Sequence, residues 1–286
     1  MTRQDVSNML KTQAIGRKRP DGSDYLSLSF RSEKGIVEES HYSHNQIQIM
    51  ALELDIVPER YARNQKSLGC SEQLKLLKSC VIVVGLGGLG GCVTEILARV
   101  GVGELLLVDG DVFEDSNLNR QLLSRVEDLG RKKALVAENR VLSINPGVNV
   151  RAYPVYLEAA NCRDLIGSAV LAVDCLDNIP DRFTLEAGCR NKNIPMVSAA
   201  IGGESGQATV VFPGEPGLSL IYGQPENVPS KGIEKSLGTL PYAAITMAAI
   251  ECAEVVSYLT GKSAALRSRL LFADLSDYSL ELLSLS

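Results

Sequence analysis

The stretch CVIVVGLGGLGGCVTEILARVG, residues 80–101, restricts the fold more than any other part of the chain. A continuous apolar run, CVIVV, reads as a strand buried on both faces. It feeds a glycine turn and then a helical pattern that stops at Gly101. Strands of this kind belong to parallel sheets covered by helices on both sides. Gly85, Gly87 and Gly90 match G-x-G-x-x-G, and Gly88 adds a fourth glycine. The strand before and the helix after are the context this motif requires. Glycines let the backbone approach a phosphate, and the helix start offers free N–H groups and partial positive charge. Asp109 ends the next apolar run, ELLLVDGD, 19 residues after Gly90. An acid at that place accepts hydrogen bonds from a ribose. The motif alone does not separate NAD, FAD and ATP.

The alternation continues. Helical patterns fall at 131–143, 160–167 and 179–193, and strands at 148–155, 169–174 and 195–200. QATVVFP after Gly206 reads as a further strand, 239–260 as a long helix, and LLFADL (270–275) as a last strand. The expected fold is α/β and Rossmann-like: a mostly parallel central sheet with helices on both faces, continuing into antiparallel strands toward the C-terminus. Residues 58–286 form this nucleotide-binding domain. Residues 1–57 are more polar, carry the turn signal RPDGSD (19–24), and read as an N-terminal extension folded onto it. QIQIMALEL (46–54) fits a helix or a strand equally.

Composition removes several function classes. At 286 residues with 45% hydrophobic content, a sizeable core is available. A net charge of −5 argues against nucleic acid or an anionic membrane as partner, since both need a basic face. No apolar run approaches the roughly 20 residues of a membrane span. The N-terminus MTRQDVSNML has no apolar signal core, and the seven cysteines are scattered without a C-x-x-C pair. Reduced thiols and a cytoplasmic location are the expectation. The only histidines are His41 and His44, so chemistry in the main body must run without histidine. As an H-x-x-H pair in a polar segment they read as surface residues.

DGDVFEDSNLNRQ (109–121) is too rich for a dehydrogenase, which needs one acid there. It places Asp109, Asp111, Asn117 and Arg120 in one loop, and Lys133 follows at the start of the next helix. Arg120 can pair with phosphate oxygens. Asp177, in DCLDN after a later strand, sits at the carboxyl edge of the sheet, where ligands of open α/β sheets bind. Facing a triphosphate, it suits magnesium. ERYARN (59–64) adds Arg60 and Arg63 upstream. Together these residues describe a polyphosphate site.

ERYARN, VVGLGGLGG, DGDVFEDSNLNRQ, the GRKK lysine and DCLDN resemble the ThiF/MoeB/HesA adenylyltransferases of the ubiquitin-activating-enzyme superfamily, from about residue 59 to about 275. The resemblance implies ATP and magnesium as cofactors. It implies adenylation of the C-terminal glycine of a small ubiquitin-like sulfur carrier ending in Gly-Gly, and a homodimer. Gly88 would lie against the nucleotide, with Gly85, Gly87 and Gly90 completing the turn. Asp109 would hold the ribose, with Asp111 beside it. Ser116, Asn117, Asn119, Arg120 and Lys133 would bind the nucleotide and its phosphates. Asp177 would bind magnesium, with Asn178 adjacent, and Arg63 would reach the phosphates of a dimer partner's site. This agrees with the chemistry: a carboxylate is already a nucleophile at neutral pH, so positioning and charge neutralisation suffice.

The chain also departs from the family. The C-x-x-C pairs that hold structural zinc in many members are missing: Gly217 and Leu220 stand near the first, and the C-terminal DYSLELLSLS has no cysteine. No zinc site is expected. The family cysteine for thioester or persulfide chemistry aligns near Glu234, and no cysteine lies between 190 and 251. Adenylation without a thioester step on this chain follows. Residues 223–238 are expected to form a crossover loop over the carrier's tail. Two further readings stand beside this one: an NAD(P)-dependent oxidoreductase on the same fold, and a nucleotide-binding scaffold without turnover. The acylated partner could also be a short peptide or a tRNA base.

Overall fold

In the computed structural model, which describes residues 1–64, 66–227 and 234–285, eight strands form one sheet and three form another. The chain begins with α1 (Arg3–Gln13), β1 (Ile15–Lys18), β2 (Asp24–Leu28), α2 (Phe30–Ser40), α3 (His44–Glu53) and β3 (Ile56–Pro58). The ambiguous segment 46–54 is thus helical through Glu53. Ser43 and Gln46 close a capping box at the start of α3, as Thr2 and Asp5 do for α1. The small sheet has the order β1-β2-β3. Val6, Leu10, Leu28, Ile36, Ile47, Met50, Ala51 and Ile56 form a core beneath it.

The body follows with α4 (Cys70–Leu77), β4 (Cys80–Val84), α5 (Gly88–Val100), β5 (Glu104–Val108), α6 (Lys133–Ile144), β6 (Asn149–Tyr153), α7 (Cys162–Ile166), β7 (Leu171–Asp174), α8 (Ile179–Lys192) and β8 (Met196–Gly202). Then come β9 (Ser205–Val211), α9 (Ser219–Tyr222), α10 (Glu234–Leu237), α11 (Pro241–Thr260), β10 (Arg269–Asp274) and β11 (Ser279–Ser284). The large sheet runs β11-β10-β9-β8-β7-β4-β5-β6. Pairings from β6 to β8 are parallel, and those from β8 to β11 are antiparallel. The expected α/β fold is the observed one.

Successive residues of β4 point to opposite faces. Val81 and Val83 join the core under α5 and α11, while Ile82 and Val84 join the one under α7 and α8. This double burial is why the strand reads as an unbroken apolar run. At 20 residues and a mean hydropathy of 1.3, α11 does reach the length and hydropathy of a membrane span, contrary to the run-length expectation. Half of it is buried, and it packs on α5, β8 and β9 as a core helix.

The N-terminal unit meets the body along α3, α4 and the segment after β3. Leu52, Val57, Tyr61 and Leu77 form the apolar part of this seam. The rest is a buried polar relay. His44 Nδ1 pairs with Glu33 at 2.7 Å, and Gln48 donates to the same carboxylate at 2.8 Å. Tyr61 OH donates to Gln48 Oε1 at 3.0 Å. Asn145 Nδ2 donates to Tyr61 OH and to the Ala98 carbonyl of α5, both at 2.9 Å. His44, expected as a surface residue, is therefore mostly enclosed, 18% exposed, because it serves this relay.

Candidate functional site

β4 lies between β5 and β7, so the crossovers leave it in opposite directions. A crevice opens at such a switch point, and here it has a volume of about 800 Å³. The glycine turn forms its floor. Gly85 has φ +87°, and a Cβ there would meet the Cys175 carbonyl at 2.6 Å. A Cβ on Gly90 would stand 1.8 Å from the Gly85 carbonyl oxygen. Gly90 thus seats α5 on the turn and does not line the crevice. Gly85, Gly87 and Gly88 do line it. The first N–H groups of α5 have no partner within the helix and no side-chain cap, which leaves them for an anion.

One wall carries the paired charges. Asp109 accepts the Leu86 N–H on one oxygen and the Asp111 N–H on the other, both at 2.7 Å. Burial raises its carboxyl above the ordinary range, against the pull of Lys133 and of those two N–H groups. Lys133 Nζ lies 3.0 Å from Asp111 Oδ2, and Tyr156 OH donates to Asp111 Oδ1 at 2.8 Å. Burial acts upward on Asp111 too, but the hydrogen bonds from Lys133 and Tyr156 and the charges of Lys133 and Lys132 win, and its carboxyl ends below the ordinary range. Arg120 reaches the same crevice, its guanidinium donating to the Ser116 carbonyl and to Asn119 Oδ1 at 2.9 Å each.

The opposite wall is the loop after β7. Asp177 is exposed at its tip. Asn178 caps α8, accepting the Asp181 N–H at 2.9 Å. Beneath, Arg182 and Asp174 form a buried pair at 2.9 Å. Arg182 also bonds the carbonyls of Leu176 and Ala199, and Asp174 accepts Ser198 Oγ at 2.6 Å. Deeper still, Glu251 is fully buried, with Oε1 unpartnered and Oε2 3.8 Å from Cys175 Sγ. Burial, and then the Asp174 charge, push its carboxyl well above the usual range.

The crevice thus gathers Asp109, Asp111, Arg120, Lys133, Asp177 and Asn178 from three segments: the loop after β5, the start of α6 and the loop after β7. Other candidates lie elsewhere. Asn117 is buried in its own turn, its Oδ1 accepting the Glu114 N–H at 3.0 Å, and Ser116 and Asn119 are exposed beside it. Arg63 is exposed and away from this chain's crevice. The crossover-loop expectation at 223–238 includes 228–233, outside the described residues; past them, Leu237 and Thr239 border the crevice. Cys70 is half-buried and the other six cysteines are buried, and burial raises every one of the seven thiols, Cys80 and Cys92 to about 11. Sequence reasoning missed Gln121, Tyr156 and Arg182, which also line the crevice. Gln121 closes the NLNRQ run, and Tyr156 follows a strand at the sheet's carboxyl edge; those positions were the available signals.

A family model described as the ThiF family matches residues 61–286. The SAMP-activating enzyme E1 of Haloferax volcanii is 37% identical over 238 residues, covering 81% of this chain and 87% of that protein. A sulfur carrier protein adenylyltransferase of Thermus thermophilus is 35% identical over 227 residues, covering 76% and 83%. Among solved structures, Escherichia coli MccB with ATP is similar with a TM-score of 0.65 at 20% identity, over 89% of this chain and 82% of that one. That likeness is one of fold.

Proposed function

This chain belongs to the ThiF family, and on that premise we propose that its crevice activates a carboxylate with ATP. It is an adenylyltransferase that acts on a small ubiquitin-like sulfur carrier. The carrier's C-terminal glycine carboxylate attacks the α-phosphorus of ATP, an acyl-adenylate forms, and pyrophosphate leaves. The observation that carries this reading is the convergence of Arg120, Lys133 and Asp177 on one glycine turn. Two fixed cations and a helix start suit a triphosphate whose leaving group gains charge.

The residues divide the work. The turn at Gly85–Gly88 admits the phosphates to the N–H groups of α5. Asp109 offers the ribose a carboxylate already set by two backbone N–H groups. Lys133 and Arg120 neutralise the β- and γ-phosphates as pyrophosphate departs. Asp177, exposed opposite them, would hold the magnesium ion that accompanies ATP, which offsets phosphate charge. No residue need remove a proton, in agreement with histidines that lie only in the N-terminal unit. Arg63, away from its own crevice, serves the site of a partner copy in a homodimer. The raised thiols leave sulfur transfer to another protein, and seven free cysteines suit the cytoplasm.

ATP–pyrophosphate exchange, measured with and without Gly-Gly-ending carriers, tests the reading. Exchange that requires one carrier is expected, and Asp177→Asn or Lys133→Ala should remove it while the fold persists. Full exchange by Asp177→Asn would misplace the site. Tight ATP binding without exchange would move the substrate from a carrier to a peptide or an RNA.

A further inference from the structure

Lys133 does not stand free in the crevice. Its side chain is 8% exposed and its Nζ is held by Asp111 Oδ2 at 3.0 Å. Its main-chain N–H donates to the Asp111 carbonyl, also at 3.0 Å, so the loop after β5 and the start of α6 are tied twice. The second oxygen of Asp111 is occupied from a third direction. Tyr156, three residues beyond the end of β6, donates its hydroxyl to Oδ1 at 2.8 Å. The Tyr156 ring presses on Gly110, where a Cβ would come within 2.6 Å of ring carbons. Lys132 Nζ holds the Gly110 carbonyl at 2.5 Å from the other strand of this turn.

A carboxylate turns easily about its last torsion, which has broad wells. Asp111 does not, because each oxygen has a donor. A lysine stem is flexible and its ammonium is a point charge without built-in direction. Lys133 acquires a direction from Asp111, and Asp111 acquires its own from Tyr156.

We propose that Tyr156 and Asp111 are positioning residues for Lys133, which keep its ammonium aimed at the nucleotide phosphates before ATP arrives. The proposal rests on the adenylyltransferase reading of the same crevice. Asp111 is then the counter-ion of Lys133 and not a ligand of the nucleotide. Tyr156 acts only through Asp111, although it borders the crevice and is 63% exposed. An ammonium has three donors, so Lys133 can keep Asp111 while it takes a phosphate oxygen.

The test is a double-mutant cycle. Tyr156→Phe removes one oxygen and keeps the ring on Gly110, so the melting temperature should stay close to wild type. Affinity for a non-hydrolysable ATP analogue is measured by calorimetry, and kcat/KM for ATP by pyrophosphate exchange. Tyr156→Phe should lower both about tenfold in the wild-type background, less than the roughly 100-fold that a full misplacement can cost. In a Lys133→Ala background the same substitution should change analogue affinity less than about twofold, because non-additivity marks residues that act through one another. Asp111→Asn should follow the same pattern. An equal loss in both backgrounds would overturn the proposal, since Tyr156 would then touch the nucleotide itself or merely support the fold. Tighter analogue binding by Asp111→Asn would also overturn it, by showing that Asp111 competes with phosphate for Lys133. If the wild type binds the analogue but exchanges with no carrier, the carrier reading fails and the binding cycle still decides the clamp. If the wild type does not bind the analogue, both fall.

Discussion

Around the glycine turn, backbone presses on backbone: Gly90 has no room for a methyl group beside the Gly85 carbonyl, and Gly85 none beside Cys175. At the seam of the N-terminal unit, side chains meet through Glu33, Gln48, Tyr61 and Asn145, each completing its neighbour's hydrogen bonds. Gly90 and the seam are buried, and Gly85 is partly so. The first is fixed by what it excludes, so added volume should break it. The second is fixed by what it satisfies, so a lost partner should break it.

Four substitutions probe that difference, in order of expected size. Gly90→Ala drives a methyl group to 1.8 Å from a carbonyl oxygen of the turn. It should destabilise by about 4 kcal/mol or more, in the range reserved for severe core lesions, and remove nucleotide binding; a denaturant melt reads it. Arg182→Leu strands the buried Asp174 charge and should cost about 3–5 kcal/mol, as breaking one side of a buried pair does. Its effect would show that the crevice, too, depends on one satisfied polar group beneath it. Tyr61→Phe keeps the ring against Gly101 but orphans Gln48 Oε1. It should cost about 2 kcal/mol, the scale of an unpaired buried polar group. A loss near zero would mean that apolar packing alone holds the seam.

Glu251→Gln should be the smallest, and it should stabilise. In the folded chain burial holds the Glu251 carboxyl well above the ordinary glutamate value of 4.5. Below that value both states hold the proton and nothing is lost. As pH rises above it, the unfolded chain ionises and the folded one does not, so stability declines toward the folded-state pKa. A neutral side chain escapes this decline. The melting temperature of Glu251→Gln should exceed that of the wild type at pH 8, and the gap should close toward pH 4.5. A gap that widens in acid would reverse the sign.

The sheet body was legible because its signals are local. CVIVV, ELLLV and LAVD are buried on both faces and show it as unbroken apolar runs. Gly85 and Gly90 appear in sequence because no side chain fits at those two positions of the turn. The charged residues of the crevice were legible as types, since Asp109, Arg120, Lys133 and Asp177 follow strand ends or open a helix. What they bond was not. Asn117 caps its own turn, and no local pattern separates a cap from a ligand. Tyr156 meets Asp111 across 45 residues, through the β5–β6 pairing. The N-terminal unit hid its order because short amphipathic elements fit helix and strand alike. The structure shows capping boxes at Thr2 and Ser43, which gain meaning only beside the helices they open.

The sheet order also sets a timetable for synthesis. The three-stranded sheet has all its strands once residue 58 has been made. β4 exists by residue 84, but its neighbour β7 ends at 174 and the helix that covers α5 ends at 260. At ribosomal rates of about 5–20 residues per second, that interval is on the order of ten seconds or more. Through it, one edge of β4 and the apolar face of α5 wait for partners not yet translated. Pairings so distant in sequence also slow folding itself. This chain therefore spends its most aggregation-prone moments with the glycine turn already made and half of its crevice still on the messenger.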